Sequence, residues 1–244
     1  MDQHTEAVSS SINISQKPPC KKELDAVADL PVLNVNHESV PFKTLYQSES
    51  SSRRVLVLFV RHFFCGNCQE YIRTLSSTIT PSSLLALPVP AEIVIIGCGQ
   101  PELIPFYKEA TGCPFPLYAD PSRELYLRLG MARTMIPGDR KPEYVRKSFF
   151  GVVMSSFAQG VTAGRNALKG GDFWQVGGEF MFENGQVRRC HRMTTTRDHA
   201  EMSQLKQWLG SDVEEAERRE KEKKRMSWVV DMGVGVKRLS LIHI

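Results

Sequence analysis

Arg53-Arg54-Val55-Leu56-Val57-Leu58-Phe59-Val60-Arg61 leads through His62-Phe63-Phe64 into Cys65-Gly66-Asn67-Cys68. The first segment is a continuous apolar run of strand length, which suits a central strand covered on both faces. Gly66 to about Thr78 then carries Tyr71, Ile72 and Leu75 at helical spacing, so the cysteine pair falls at a strand-to-helix junction. Two thiols separated by two residues at a helix start can close a small disulfide with little backbone movement. Unpaired N–H groups and the helix dipole favour an anion there, so Cys65 is expected to titrate below the ~8.5 of a free thiol. Arg61 and His62, just upstream, are candidate supporting groups. Cys65 is read as an exposed nucleophile and Cys68, one turn on and more buried, as the thiol that resolves its adduct.

A second unit repeats the alternation. Glu92-Ile93-Val94-Ile95-Ile96-Gly97 reads as another buried strand, and Pro101-Glu102 opens a helix with proline and an acid in its first turn. That helix turns Leu103, Phe106, Tyr107 and Ala110 inward and stops at Thr111-Gly112. A short strand, Pro116 to Ala119, precedes the cap Asp120-Pro121-Ser122 and a helix from Arg123 to Leu129. Asn184-Gly185 is the turn signal of a hairpin between Glu179–Phe182 and Gln186–His191. Phe173 and Trp174, ahead of it, are expected in the core. A last helix runs from about Asp198 to Leu209. This order predicts an α/β, thioredoxin-like domain with a central mixed β-sheet flanked by helices.

Around it, residues 1–28 are polar, contain Pro18-Pro19 and read as a disordered leader. The domain spans 29–210, with 131–173 as an insertion in which Tyr144 to Phe157 has helical spacing. Residues 211–244 form a charged helical tail. Its end, Leu239-Ser240-Leu241-Ile242-His243-Ile244, looks like the translation of a library-adapter sequence, so 226–244 is not expected to be the authentic C-terminus.

The 244 residues are 41% apolar and carry a formal charge of +4 with no long basic run, so nucleic-acid binding gets no support. No stretch reaches the ~18 uninterrupted apolar residues of a membrane span. The N-terminus lacks an apolar signal region, and a cytoplasmic location, where thiols stay reduced, is the expectation. Six cysteines, at 20, 65, 68, 98, 113 and 190, are too few in so long a chain for a disulfide-stapled scaffold.

Two other readings of Cys65 and Cys68 stand beside the redox one. The pair could be half of a zinc site, but zinc needs four ligands and no second close pair exists. Cys190 and His191, adjacent in a strand, point to opposite faces. The pair could also be inert thiols in a relic domain. No metal or cofactor is called for. Cys98 and Cys113 are expected in the core, and Cys20 is incidental. Arg188, Arg189, His191 and Arg192 make either an anion-facing cluster or a plain surface strand.

Val57 to Tyr71, taken as a block, resembles the active-site segment of the peroxiredoxin-like 2 family, an AhpC/TSA antioxidant-enzyme group of the thioredoxin-like superfamily. Pro114-Phe115-Pro116-Leu117-Tyr118-Ala119-Asp120-Pro121, Gln175-Val176-Gly177-Gly178-Glu179-Phe180 and Asp198-His199-Ala200 are similar to further blocks. Together they cover about residues 30 to 210. The resemblance implies a peroxiredoxin-like fold and a thiol-based redox role for Cys65 and Cys68. Two departures stand out. The PxxxTxxC motif of typical peroxiredoxins would place proline and threonine where Leu58 and His62 stand. Phe64 precedes the pair where thioredoxins have tryptophan, and Gly177-Gly178 falls in the neighbourhood of their cis-proline.

Three functions follow. The first is a thiol–disulfide oxidoreductase, restored by a thioredoxin- or glutathione-type reductant and acting on a protein disulfide. The second reduces a small peroxide or a lipid endoperoxide, as in prostaglandin F synthase-like relatives. The third is a binding module without turnover.

Overall fold

The computed structural model describes residues 14–47, 54–138, 142 and 169–210. The expected helix at 144–157 and the charged tail at 211–244 lie outside the described residues. The seven strands are β1 (Pro31–Leu33), β2 (Ser39–Pro41), β3 (Arg54–Phe59), β4 (Ala91–Gly97), β5 (Leu117–Ala119), β6 (Gly178–Glu183) and β7 (Gln186–Arg192). They form one sheet in the order β2-β1-β5-β4-β3-β6-β7. β3, β4 and β5 run parallel, while β6 is antiparallel to β3, and β7 to β6. The helices are α1 (Lys21–Val27), α2 (Gly66–Thr78), α3 (Pro81–Leu85), α4 (Ile104–Thr111), α5 (Glu124–Arg128) and α6 (Met202–Leu209).

Alternation along the strands builds two cores, one on each face of the sheet. Leu56 and Leu58 of β3, Ile93 and Ile95 of β4, and Met181 of β6 face Tyr71, Ile72, Leu84, Tyr107 and Leu205 of α2, α3, α4 and α6. Val55, Val57 and Phe59, with Val94, Ile96, Phe180 and Phe182, face Leu24 and Val27 of α1 and Leu125 and Tyr126 of α5. The continuous apolar runs of β3 and β4 are therefore explained by cover on both sides. Tyr126 ties the two strands at their ends: its hydroxyl donates to Val60 O at 2.7 Å and to Ile96 O at 3.0 Å. The α/β, thioredoxin-like reading is the fold observed.

The hairpin turn is as expected, with Asn184 and Gly185 both at positive φ, 51° and 72°. Gly177 has a different role. A Cβ there would sit 1.7 Å from Phe59 O, so only glycine lets the start of β6 close on β3.

The structure corrects three expectations about the chain, the first at Phe106 of α4, which is exposed and not turned inward. Residues 14–28 are not a disordered leader. Glu23 accepts from Cys20 N at 2.7 Å to cap α1, and Leu24 and Val27 are buried. Upstream, the buried Arg192 side chain donates to Ser15 O at 2.7 Å and Lys17 O at 2.9 Å, and its backbone N–H donates to Gln16 Oε1. A buried guanidinium needs carbonyl partners, and this segment provides them. Phe173 and Trp174 are not in the core but 50% and 56% exposed. Asp172 Oδ1 accepts from Trp174 N, fixing a turn whose side chains point outward.

Candidate functional site

The Cys65 thiol caps α2. Its backbone is extended, at φ −71° and ψ 105°, and its Sγ accepts from Cys68 N at 3.3 Å. This satisfies one of the orphan donors of the first turn. Gln69 Nε2 donates to Phe63 O at 3.0 Å, and Cys65 N to His62 O at 3.0 Å, so the approach loop is pinned to the helix.

Arg61 supplies the positive charge. Its Nη1 lies 3.5 Å from Cys65 Sγ, while Nη2 donates to Phe173 O at 2.6 Å and Nε to Gln175 O at 3.3 Å. The Phe173–Gln175 turn, exposed by its rings, thus fixes the guanidinium by its carbonyls. Arg61 is itself only 6% exposed, so its field on the sulfur is weakly screened.

Cys65 is also buried, at 3% exposure, which corrects the expectation of an exposed nucleophile. Burial pushes its thiol up. The hydrogen bond from the Cys68 side chain, then the Arg61 charge, outweigh this and bring it down to about 5. Cys68 goes the other way. Burial first, then the hydrogen bond to Cys65 and the charge on Cys65, drive it well above the ordinary thiol value. One turn of helix separates a stabilised thiolate from a held thiol.

Three residues that the sequence reading did not name as site residues surround Cys68. His199 Nε2 stands 3.5 Å from Cys68 Sγ, and His199 Nδ1 is 2.6 Å from Glu179 Oε1. Tyr71 stacks on the imidazole, with centroids 4.2 Å apart and planes 8° from parallel. All three are buried, and the second Glu179 oxygen accepts from Ala200 N. Glu179 sits on the face of β6 where an apolar residue would be regular. That acid in an apolar run, with His199 in the last of the quoted blocks, was the available signal.

The other candidates fall elsewhere. His62 is buried against Phe173, and burial, then the Arg61 charge, lower its imidazole to about 3, so it is neutral and anchors no anion. Gly177 and Gly178 meet Phe59 O and His191 O rather than the thiols, and the described residues contain no cis peptide bond. Cys98 and Cys113 are core residues as expected, and burial pushes Cys98 up to about 12. Arg188 and Arg189 are exposed, but Arg192 turns inward, so the four basic residues of β7 do not form one cluster. A β-bulge opposite Met181 and Phe182 breaks the alternation of β7 and places both arginines outside. No group of three metal-ligating side chains occurs among the described residues, and no described helix is long and apolar enough to cross a membrane.

This arrangement is a buried thiol pair on a thioredoxin-like scaffold, and comparison with known proteins gives its class. Residues 74–195, half of the chain, match the family model described as AhpC/TSA antioxidant enzyme, and the chain belongs to that family. The match begins in α2, just past Cys68. Among individual proteins, the chain is similar to Peroxiredoxin-like 2C of Takifugu rubripes, with 32% identity over 77% of this chain and 81% of that one. It is 32% identical to the Homo sapiens Peroxiredoxin-like 2C over 76% and 79% of the two chains. Peroxidoxin BcpB from Mycobacterium tuberculosis is a structural neighbour, with TM-score 0.48, 12% identity and coverage of 81% of this chain and 94% of that one.

Proposed function

We propose that the chain is a thiol–disulfide oxidoreductase that cycles Cys65 and Cys68 between dithiol and disulfide. The observation that carries this is the asymmetry of the pair: Arg61 Nη1 lies 3.5 Å from Cys65 Sγ, whereas His199 Nε2 lies 3.5 Å from Cys68 Sγ. The Cys65 thiolate attacks one sulfur of a substrate disulfide. A Cys65–substrate bond forms, the substrate S–S bond breaks, and its electron pair leaves on the released thiolate. Cys68 then attacks Cys65 sulfur, closing the Cys65–Cys68 disulfide and releasing the second substrate thiol. The substrate gains two electrons and the pair loses two. A thioredoxin- or glutathione-type reductant, available in a reducing compartment such as the cytoplasm, returns them.

The family's description as antioxidant enzymes favours a second substrate at the same sulfur, a peroxide or lipid endoperoxide. With a hydroperoxide, Cys65 thiolate would take the terminal oxygen, giving a sulfenic acid and an alcohol, and Cys68 would condense with it to release water. With an endoperoxide, Cys65 would form a sulfenate ester as the O–O bond breaks, and Cys68 would displace it to leave the diol and the Cys65–Cys68 disulfide. His62 offers no hydroxyl to that oxygen, which ranks this reading second.

The test is reduction of a protein disulfide by the full chain with dithiothreitol as donor. Cys65→Ser is expected to lower the rate at least ~1,000-fold, and Cys68→Ser to leave a mixed disulfide on Cys65 detectable by mass spectrometry. Full activity in Cys65→Ser would overturn the reading. A Cys65 sulfenic acid forming with peroxide faster than any disulfide is attacked would put the second reading first.

A further inference from the structure

Cys68 is the thiol that must lose a proton in the cycle just proposed. It is wholly buried, and its one Sγ proton must leave before its sulfur can attack. Two groups stand ready to accept that proton: the Cys65 thiolate and His199 Nε2, 3.5 Å away. The first disappears during the reaction. Once Cys65 is bonded to substrate sulfur it carries no charge and no longer holds the Cys68 proton. His199 then remains as the acceptor.

The surroundings of His199 suit that task. Glu179 Oε1 lies 2.6 Å from Nδ1; with the ring hydrogen on Nδ1 donated to that oxygen, the Nε2 lone pair faces Cys68. Stacking on Tyr71 fixes the ring plane, and the Ala200 N–H holds the far oxygen of Glu179. A base oriented by a second group is the arrangement that activates a buried nucleophile. A cavity of about 240 Å³ has His191, Thr194, Arg197 and His199 in its wall, while the imidazole itself and the Glu179 carboxyl are fully enclosed, so the proton stays within the pair.

We propose that His199, oriented by Glu179, is the acid–base residue of Cys68 in the resolving step. The inference rests on the thiol–disulfide reading above. In the forward step the Cys68 proton moves to Nε2, Cys68 sulfur bonds to Cys65 sulfur, and the Cys65–substrate bond breaks. The leaving thiolate takes that proton from the imidazolium, which restores the Nε2 lone pair. In the return step, one thiol of an external dithiol gives up its proton and attacks Cys65, and Cys68 leaves as a thiolate and receives that proton through Nε2. The donor's second thiol then closes the donor's own disulfide and frees Cys65. Glu179 touches no reacting atom and is a positioning residue.

The experiment mixes the reduced full chain, carrying Cys20→Ser and Cys190→Ser to silence the more accessible thiols, with a nitrobenzoate aryl disulfide in a stopped-flow instrument. The parent releases one coloured thiolate when Cys65 attacks and a second when Cys68 closes. His199→Gln is expected to leave the first phase within about threefold and to slow the second about 100-fold. Glu179→Gln keeps the imidazole and slows the second phase about tenfold. A second phase at the parent rate in a folded His199→Gln chain overturns the proposal. A parent that never releases the second thiolate overturns the oxidoreductase reading instead. Should neither variant fold, nitrogen NMR of His199 in the unaltered reduced chain decides. The Nδ1–H tautomer supports the relay, and the Nε2–H tautomer, which has no lone pair for Cys68, refutes it.

Discussion

Cys65 and Cys68 lie one helical turn apart and are equally dry, yet their neighbours differ in kind. Cys65 faces a guanidinium held by loop carbonyls, whereas Cys68 faces an imidazole held by a carboxylate. Burial raises both thiols, so burial cannot be what separates them. The separation comes from the charge and the hydrogen bonds that each sulfur meets. Cys65 takes its cation from the end of β3 and its amide from α2. Cys68 takes its base from the residues just before α6 and the acid behind it from β6. The two halves of the fold each supply one half of the chemistry.

Removing the cation is the largest way to break this comparison. Arg61→Met is expected to raise the Cys65 thiol by about one unit or more and to slow its alkylation near pH ~6 about tenfold. The closing step of Cys68 should change far less. Equal slowing of both steps would mean that the two sulfurs share one environment. A smaller effect is expected on the other side. Tyr71→Leu removes the platform under His199, and should slow closure about threefold while lowering stability by ~2 kcal/mol, read from urea unfolding. The smallest effect is at the remaining buried thiols. Burial pushes Cys98 up to about 12 and raises Cys113, so both should stay unalkylated in the folded chain near pH ~8, while Cys65 reacts. Labelling of Cys98 at a rate like that of Cys65 would erase the contrast on which the site was chosen.

Much of this was legible in residues that obey simple patterns. The apolar run of β3, the helical spacing of Tyr71, Ile72 and Leu75, and the Asn184-Gly185 turn each set a local structure that the fold kept. Arg61 and the cysteine pair were legible because they are neighbours in sequence. Other features rest on contacts that no local pattern encodes. His199 and Glu179 reach Cys68 from 131 and 111 positions away in the chain, and only the sheet order brings them together. The short hairpin of β1 and β2 was missed because its turn places His37, not glycine, at φ 64°. The segment at 14–28 looked disordered by composition, yet it is held by Arg192 from the far end of the domain. The Phe173–Trp174 turn reverses the usual expectation that aromatic rings go inside, because its carbonyls are the part the site uses.

The most direct test of the account is the alkylation rate of Cys65 as a function of pH, in the reduced full chain with Cys68→Ala as control. Because the Cys65 thiol is lowered to about 5, the thiolate is present above that value and lost below it. The account predicts a rate that is flat above pH ~6 and falls about tenfold per unit well below pH ~5. In Cys68→Ala the fall should move to higher pH, since that position then offers the thiolate no side-chain donor. A rate that climbs steadily to pH ~8.5 or beyond, unchanged by Cys68→Ala, would contradict it.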